Sequence, residues 1–134
     1  MIILDASALI ALIKQERGYK VIENLLFEAE EKKLSVFIHQ INFAEFMYFC
    51  RNTYNTETVN GIISDFSSPF IGIMNYMDND ISCLASFLKS KYDISLADAF
   101  GLAFSRIIDG TFWTADKELK QIAQNEQISV KIFR

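Results

Sequence analysis

Ile2-Ile3-Leu4-Asp5-Ala6-Ser7-Ala8-Leu9-Ile10 begins as a wholly apolar, β-rich run, meets an acid at its end, and continues with apolar residues at helical spacing. A triplet that is apolar on both sides suits a strand buried on both faces, as in a parallel sheet. Ala8, Leu9, Leu12 and Ile13 form the apolar side of the helix that follows, and Gly18 breaks it. A second helix turns Val21, Ile22, Leu25, Leu26 and Ala29 inward and runs to about Lys33.

The same alternation recurs along the chain. Val36-Phe37-Ile38 reads as a strand, 41 to about 52 and 56–66 as helices, and Ser67-Ser68-Pro69 as a breaker. Phe70-Ile71-Gly72-Ile73 is the next strand, followed by helices over 78–90 and 95–108 and a turn at Asp109-Gly110. Thr111-Phe112-Trp113-Thr114 is a strand, 116–125 a helix, and 128–133 a last alternating strand. Strands separated by helices imply right-handed crossovers and a mainly parallel sheet covered on both faces, a three-layer α/β/α arrangement. With one proline, five scattered glycines and no visible repeat, 1–134 is expected to form a single domain.

Composition narrows the function classes. The 134 residues are 51% apolar and 22% charged, which excludes disordered and low-complexity chains. Thirteen Lys and Arg against seventeen Asp and Glu leave a net charge of −4, so the totals alone give no polyanion-binding surface. Cys50 and Cys83 lack metal spacing and are expected as buried thiols. The N-terminal apolar run has no basic residues before it and contains Asp5, which argues against a signal peptide. No uncharged apolar run approaches the roughly 18 residues of a spanning helix, so a soluble, cytoplasmic protein is expected, without a membrane partner.

Most of the acids sit in polar company, on helix faces such as Glu23, Glu28, Glu30 and Glu31. Four do not: Asp5, Glu45 in Asn-Phe-Ala-Glu-Phe-Met, Asp98 in Leu-Ala-Asp-Ala-Phe, and Asp116 in Trp-Thr-Ala-Asp-Lys. Asp5 and Asp116 stand between a strand and a helix, where a carboxylate can cap backbone N–H groups. Ser95-Leu96-Ala97-Asp98 fits a capping box. Glu45 is mid-helix, with no Lys or Arg three or four residues away on either side, and needs a cation or a cavity. Ligands of parallel α/β sheets bind beyond the carboxyl ends of the strands, which is where Asp5 and Asp116 stand. If the four converge, pairs about 5–6 Å apart repel by about 3 kcal/mol at an effective dielectric of about 20. Such a group must hold protons or hard cations, and oxygen ligands without His or Cys favour Mg²⁺ or Mn²⁺ over zinc. Water held by such an ion beside a phosphodiester is a hydrolytic nucleophile.

These segments together resemble the PIN-domain ribonucleases, most closely the small VapC-type toxins of toxin–antitoxin pairs. Ile2-Ile3-Leu4-Asp5-Ala6-Ser7 is similar to the family's first strand and metal-binding aspartate, and Phe43-Ala44-Glu45-Phe46 to its second acid. Ser95-Leu96-Ala97-Asp98-Ala99-Phe100-Gly101-Leu102-Ala103 resembles its strongest signature, and Thr114-Ala115-Asp116-Lys117-Glu118-Leu119 its fourth acidic segment. The resemblance implies a five-stranded sheet in the order 3-2-1-4-5, with Asp5 and Asp98 as principal Mg²⁺ or Mn²⁺ ligands and Glu45 and Asp116 completing the catalytic site. Ser7 and Thr114 would orient carboxylates or waters, or serve only as helix-start hydroxyls. The implied reaction is hydrolysis of an RNA phosphodiester, and the implied partners are the RNA substrate, a cognate antitoxin whose C-terminal segment blocks the site, and a second copy in a homodimer.

Asn42-Phe43 before Glu45 and the bulky Phe112-Trp113 pair depart from the family's usual residues. Trp113 is expected in the core. His39, the only histidine, lies just after the second strand with no partner pattern and is expected as a strand-end residue. Lys117, Lys120 and Arg51 are the candidate RNA-binding cations. Rival readings are a silent PIN-like module binding RNA or protein, a non-toxin RNA-processing PIN nuclease, and phosphoryl transfer through an aspartyl intermediate, against which stands Ser7 where one such family wants a second acid. No G-x-G-x-x-G follows the first strand, which excludes dinucleotide binding. Setting four acids in one pocket leaves thirteen acids against thirteen bases elsewhere, so the charge excess reads as the mark of a metal site.

Overall fold

A computed structural model describes residues 1–32, 34–66 and 70–134. In chain order the elements are β1 (Ile2–Leu4), α1 (Ala6–Lys14), α2 (Tyr19–Glu30), β2 (Val36–His39), α3 (Gln40–Thr53) and α4 (Thr56–Phe66). They continue with β3 (Gly72–Met74), α5 (Asn79–Lys91), α6 (Leu96–Ile107), β4 (Thr111–Thr114), α7 (Leu119–Glu126) and β5 (Val130–Ile132). The five strands form one sheet in the order β3-β2-β1-β4-β5, and each pairing is parallel. Register sets Leu4 beside Ile38 and Trp113, so β2 and β4 each run one residue beyond the end of β1.

Side chains alternate across the sheet, and each face has its own core. Leu4, Val36 and Ile38 pack with Leu9, Ile22, Leu25 and Phe46 under α1, α2, α3 and α4. Ile3 and Phe112 pack with Ile81, Leu88, Leu102, Phe104 and Leu119 under α5, α6 and α7. Helix α3 touches both α1 and α6, so it joins the two faces at the carboxyl edge of the strands. Gly101 allows α6 to lie close on β4: a Cβ there would stand 2.5 Å from the Phe112 ring. That close approach holds the start of α6, and Asp98 with it, beside the ends of β1 and β4.

Local chemistry moves several boundaries from their expected places. Asp78 and Ser95 precede α5 and α6 as N-caps, accepting N–H bonds from Ile81 and Asp98. Helix α7 starts at Leu119, after Asp116 Oδ1 has taken the Glu118 N–H in a turn. Gln15 adopts φ 52° and ends α1 before Gly18 is reached. Strand β3 begins at Gly72 and β5 is shorter than its apolar run. The expected end of the second helix at Lys33 and the breaker at 67–69 lie outside the described residues.

His39 is the last residue of β2, a strand-end position as expected, where it stacks on Phe100 at 5.5 Å, fully buried against α6. Two other expectations about single residues need correction. Cys50 is buried, but Cys83 lies on the exposed side of α5. Trp113 is only half-buried: its ring reaches the flank of the first core, where Lys131 Nζ stands 4.3 Å from its centre. No helix among the described residues is long and apolar enough to cross a membrane.

Candidate active site

A cavity of about 420 Å³ opens at the carboxyl end of β1, lined by Asp5, Ala6, Ser7, Ile10, Glu45, Tyr48, Phe49, Asn52, Asp98 and Asp116. Its acids come from four places: the β1–α1 junction, the middle of α3, the first turn of α6, and the loop after β4. Asp5 is the deepest. Its Oδ2 accepts hydroxyl bonds from Ser7 at 2.6 Å and Thr114 at 2.7 Å, and its Oδ1 receives the Asn42 amide at 3.4 Å. The hydroxyls are themselves anchored, since Ser7 Oγ accepts the Ala115 N–H and Thr114 Oγ1 the Asp116 N–H, both at 3.0 Å. One hydroxyl network therefore ties β1, α1 and the end of β4 to a single carboxylate oxygen.

For Asp98 and Asp116, a local backbone bond and a place on the cavity are compatible, because a carboxylate has two oxygens; Asp98 caps its helix as expected, whereas Asp116 closes a turn before α7 and does not cap it. Asp98 Oδ2 completes the capping box, accepting the Ser95 hydroxyl at 2.7 Å and the Ser95 N–H at 3.3 Å. Asp116 Oδ1 accepts the Glu118 N–H at 2.8 Å. The other oxygen of each carboxylate has no such bond among the described residues. Glu45 accepts no hydrogen bond among them and is half-buried in the cavity lining.

Electrostatics follow from this crowding. Burial pushes Asp5 upward in pKa, opposed by the Ser7 and Thr114 hydroxyls and the backbone N–H groups at the start of α1. Burial raises Asp98 as well, with the charges of Asp5 and Asp116 adding to the shift against the Ser95 bonds. Glu45 is pushed up to about 7, first by desolvation and then by Asp5 and Asp98. Its response to both neighbours places it within their field. The ion pairs among the described residues use other acids, such as Glu16, Glu23 and Glu126, and none of these pairs involves the four.

The donor set suits a hard divalent cation: oxygen donors, excess negative charge and no resident counterion. Among the described residues no three His, Cys, Asp or Glu side chains are grouped closely enough to hold a metal ion together. Mg²⁺ needs fewer, since it dehydrates reluctantly, keeps several waters and is usually bound through one or two carboxylates.

The PIN domain family matches residues 2–125. The chain belongs to the PIN domain family. Solved structures of the same shape include VapBC2 of Rickettsia felis bound to a promoter DNA fragment, at a TM-score of 0.76 and 19% identity over 98% of each chain. VapBC-1 of nontypeable Haemophilus influenzae aligns at 0.71 and 15% identity, over 99% of this chain and 98% of that one. VapC20 of Mycobacterium tuberculosis, described as a sarcin–ricin loop cleaving toxin, aligns at 0.71 and 13% identity over 91% and 95%. At these identities the likeness is one of fold. No curated protein matches the sequence.

Within this PIN domain, the expected cations are not among the residues lining the cavity. Arg51 is exposed on α3, and Lys117 and Lys120 are exposed beside and beyond Asp116. One polar residue stands out that sequence reading treated only as an irregularity. Asn42 is fully buried, donates to Asp5, and leaves its Oδ1 without a partner. Its three-residue spacing from Glu45 puts both on one side of α3, and that spacing is the signal that could have found it.

Proposed function

We propose that this PIN domain, spanning 1–134, is a Mg²⁺- or Mn²⁺-dependent endoribonuclease and the toxin of a toxin–antitoxin pair. The observation that carries the reading is one cavity lined by Asp5, Glu45, Asp98 and Asp116, with no ion pair to any of them among the described residues. Asp5 and Asp98 would hold the cation, with Glu45 and Asp116 completing its surroundings directly or through water. When bound, the cation supplies positive charge for the scissile phosphate and makes water more acidic.

The chain's own groups set the rest. Ser7 and Thr114 fix the plane of the Asp5 carboxylate by holding Oδ2, so that its other oxygen keeps one direction. Ser95 does the same for Asp98. Glu45, near 7, can accept a proton from an attacking water at neutral pH, as a general base tuned to its working range does. Lys117, Lys120 and Arg51 would contact RNA phosphates outside the cavity, where a homodimer could pool them along a groove. An antitoxin would close the site by presenting a cationic segment to the uncompensated carboxylates.

Expression in a bacterial host tests the toxin reading. Growth arrest with RNA fragmentation is expected, relieved by co-expression of the adjacent small gene and absent in Asp5→Asn. Normal growth at confirmed soluble expression would contradict it.

A further inference from the structure

The cavity has two chemically different walls. One carries the carboxylates, and the other is built from Ile10 of α1 with Tyr48, Phe49 and Asn52 of α3. Glu45, Tyr48 and Asn52 follow at three and four residues, so they share one helical face. At 1.5 Å per residue, Tyr48 stands about 4.5 Å and Asn52 about 10.5 Å along the axis from Glu45. Tyr48 is 69% exposed, more than any other large apolar or aromatic side chain described, and its hydroxyl takes no hydrogen bond among the described residues.

We propose that this wall is a subsite for the base of one unpaired nucleotide next to the scissile phosphate, with Tyr48 as stacking platform and Asn52 at the base edge. The inference deepens the nuclease reading and rests on it. The wall offers no charge for a second phosphate: Ile10, Tyr48, Phe49 and Asn52 are neutral, and Lys14, over the Phe49 ring at 5.8 Å, is paired with Glu16 at 2.6 Å. It does offer what a base requires, an open aromatic face and an amide with both donor and acceptor. Continuity with the carboxylates fixes the direction: phosphate toward Asp5 and Glu45, base along α3. A base held in a duplex must first be unstacked and unpaired to use this face, a cost an unpaired nucleotide does not carry, so the unpaired nucleotide is favoured.

Titration of the full chain with 5′-AMP and with ribose 5-phosphate in Mg²⁺, followed by NMR of the Tyr48 ring, tests the subsite. Neither ligand has a phosphodiester, so the result is independent of RNA hydrolysis and a failure of one reading is separable from a failure of the other. AMP is expected to half-saturate at a concentration roughly 5- to 150-fold lower than ribose 5-phosphate, the range of one stacked base. It should shift the Tyr48 ring resonances. Tyr48→Ala should bring the two ligands together, and Tyr48→Phe should keep the preference. Equal titration by wild type, or an AMP preference that survives Tyr48→Ala, would overturn the proposal, as would a peptide partner occupying the wall while AMP leaves Tyr48 unmoved.

Discussion

Thr114 Oγ1 donates to Asp5 Oδ2 at 2.7 Å, joining the last residue of β4 to the first residue after β1 across 109 positions of sequence. Both groups are buried, and burial pushes the Asp5 carboxylate toward its neutral form. The hydroxyls of Ser7 and Thr114 oppose that push. Thr114→Val preserves shape and removes one of them. It should destabilise the fold by about 1–3 kcal/mol, seen as a lower denaturation midpoint, and weaken RNA cleavage roughly 10- to 100-fold. Thr114→Ser should retain most of both.

Glu45 gives the protein a pH dependence of definite sign. Its folded pKa, about 7, lies above its ordinary value of 4.5, so the folded state binds more protons than the unfolded state between those pH values. Stability is therefore highest below the unfolded value and declines as pH rises toward 7, with Asp5 and Asp98 acting in the same direction. Thermal melts without divalent cations should show this decline, and Glu45→Gln should reduce it. Mg²⁺ should raise Tm more at pH 8 than at pH 5.5, because ligands must be deprotonated to bind. An equal Mg²⁺ effect at both pH values would contradict the placement of the cation among these carboxylates.

His39 contributes a slope of opposite sign. Burial lowers its pKa below 6.5, against the Tyr76 carbonyl, which sits 3.0 Å from Nε2. Nδ1 accepts the Ile41 N–H at the start of α3, a bond that only the unprotonated nitrogen can make. The stabilisation is present above the unfolded value and is lost as pH falls from there through the folded value. In His39→Gln, melts below pH 6.5 should lose that acid-side decline.

Gly101 is a packing requirement. A Cβ there would meet the fully buried Phe112 ring at 2.5 Å and Asn42 Oδ1 at 3.2 Å. Gly101→Ala should destabilise by about 1–3 kcal/mol. Phe112→Leu in the same chain should recover part of the loss, and calorimetry of the single and double variants checks the coupling.

Much of this architecture was legible in the chain, for identifiable reasons. Ile2-Ile3-Leu4 could only be buried on both faces, and the helical patterns between strands required parallel crossovers. Glu45 announced itself by its apolar neighbours and missing cation. The partners of His39 and Asn42 were not legible because they are tertiary: the stack with Phe100 comes from α6, and the Asn42 amide meets Asp5 from another element. Helix starts shifted wherever a side chain took the first N–H, as Asp116 does from Glu118. Cys83 shows the converse, an apolar-looking position whose helix phase turns it to solvent.

The most direct measurement is cleavage of an unstructured RNA by the purified full chain, wild type beside Asp98→Asn, with folding of both followed by circular dichroism. Wild type should cut in Mg²⁺ or Mn²⁺, stop in EDTA and recover when the cation is restored in excess. Asp98→Asn should remain folded and inactive. Equal cleavage by the two proteins, or cutting by wild type that persists in EDTA, would contradict the assignment of hydrolysis to this cavity.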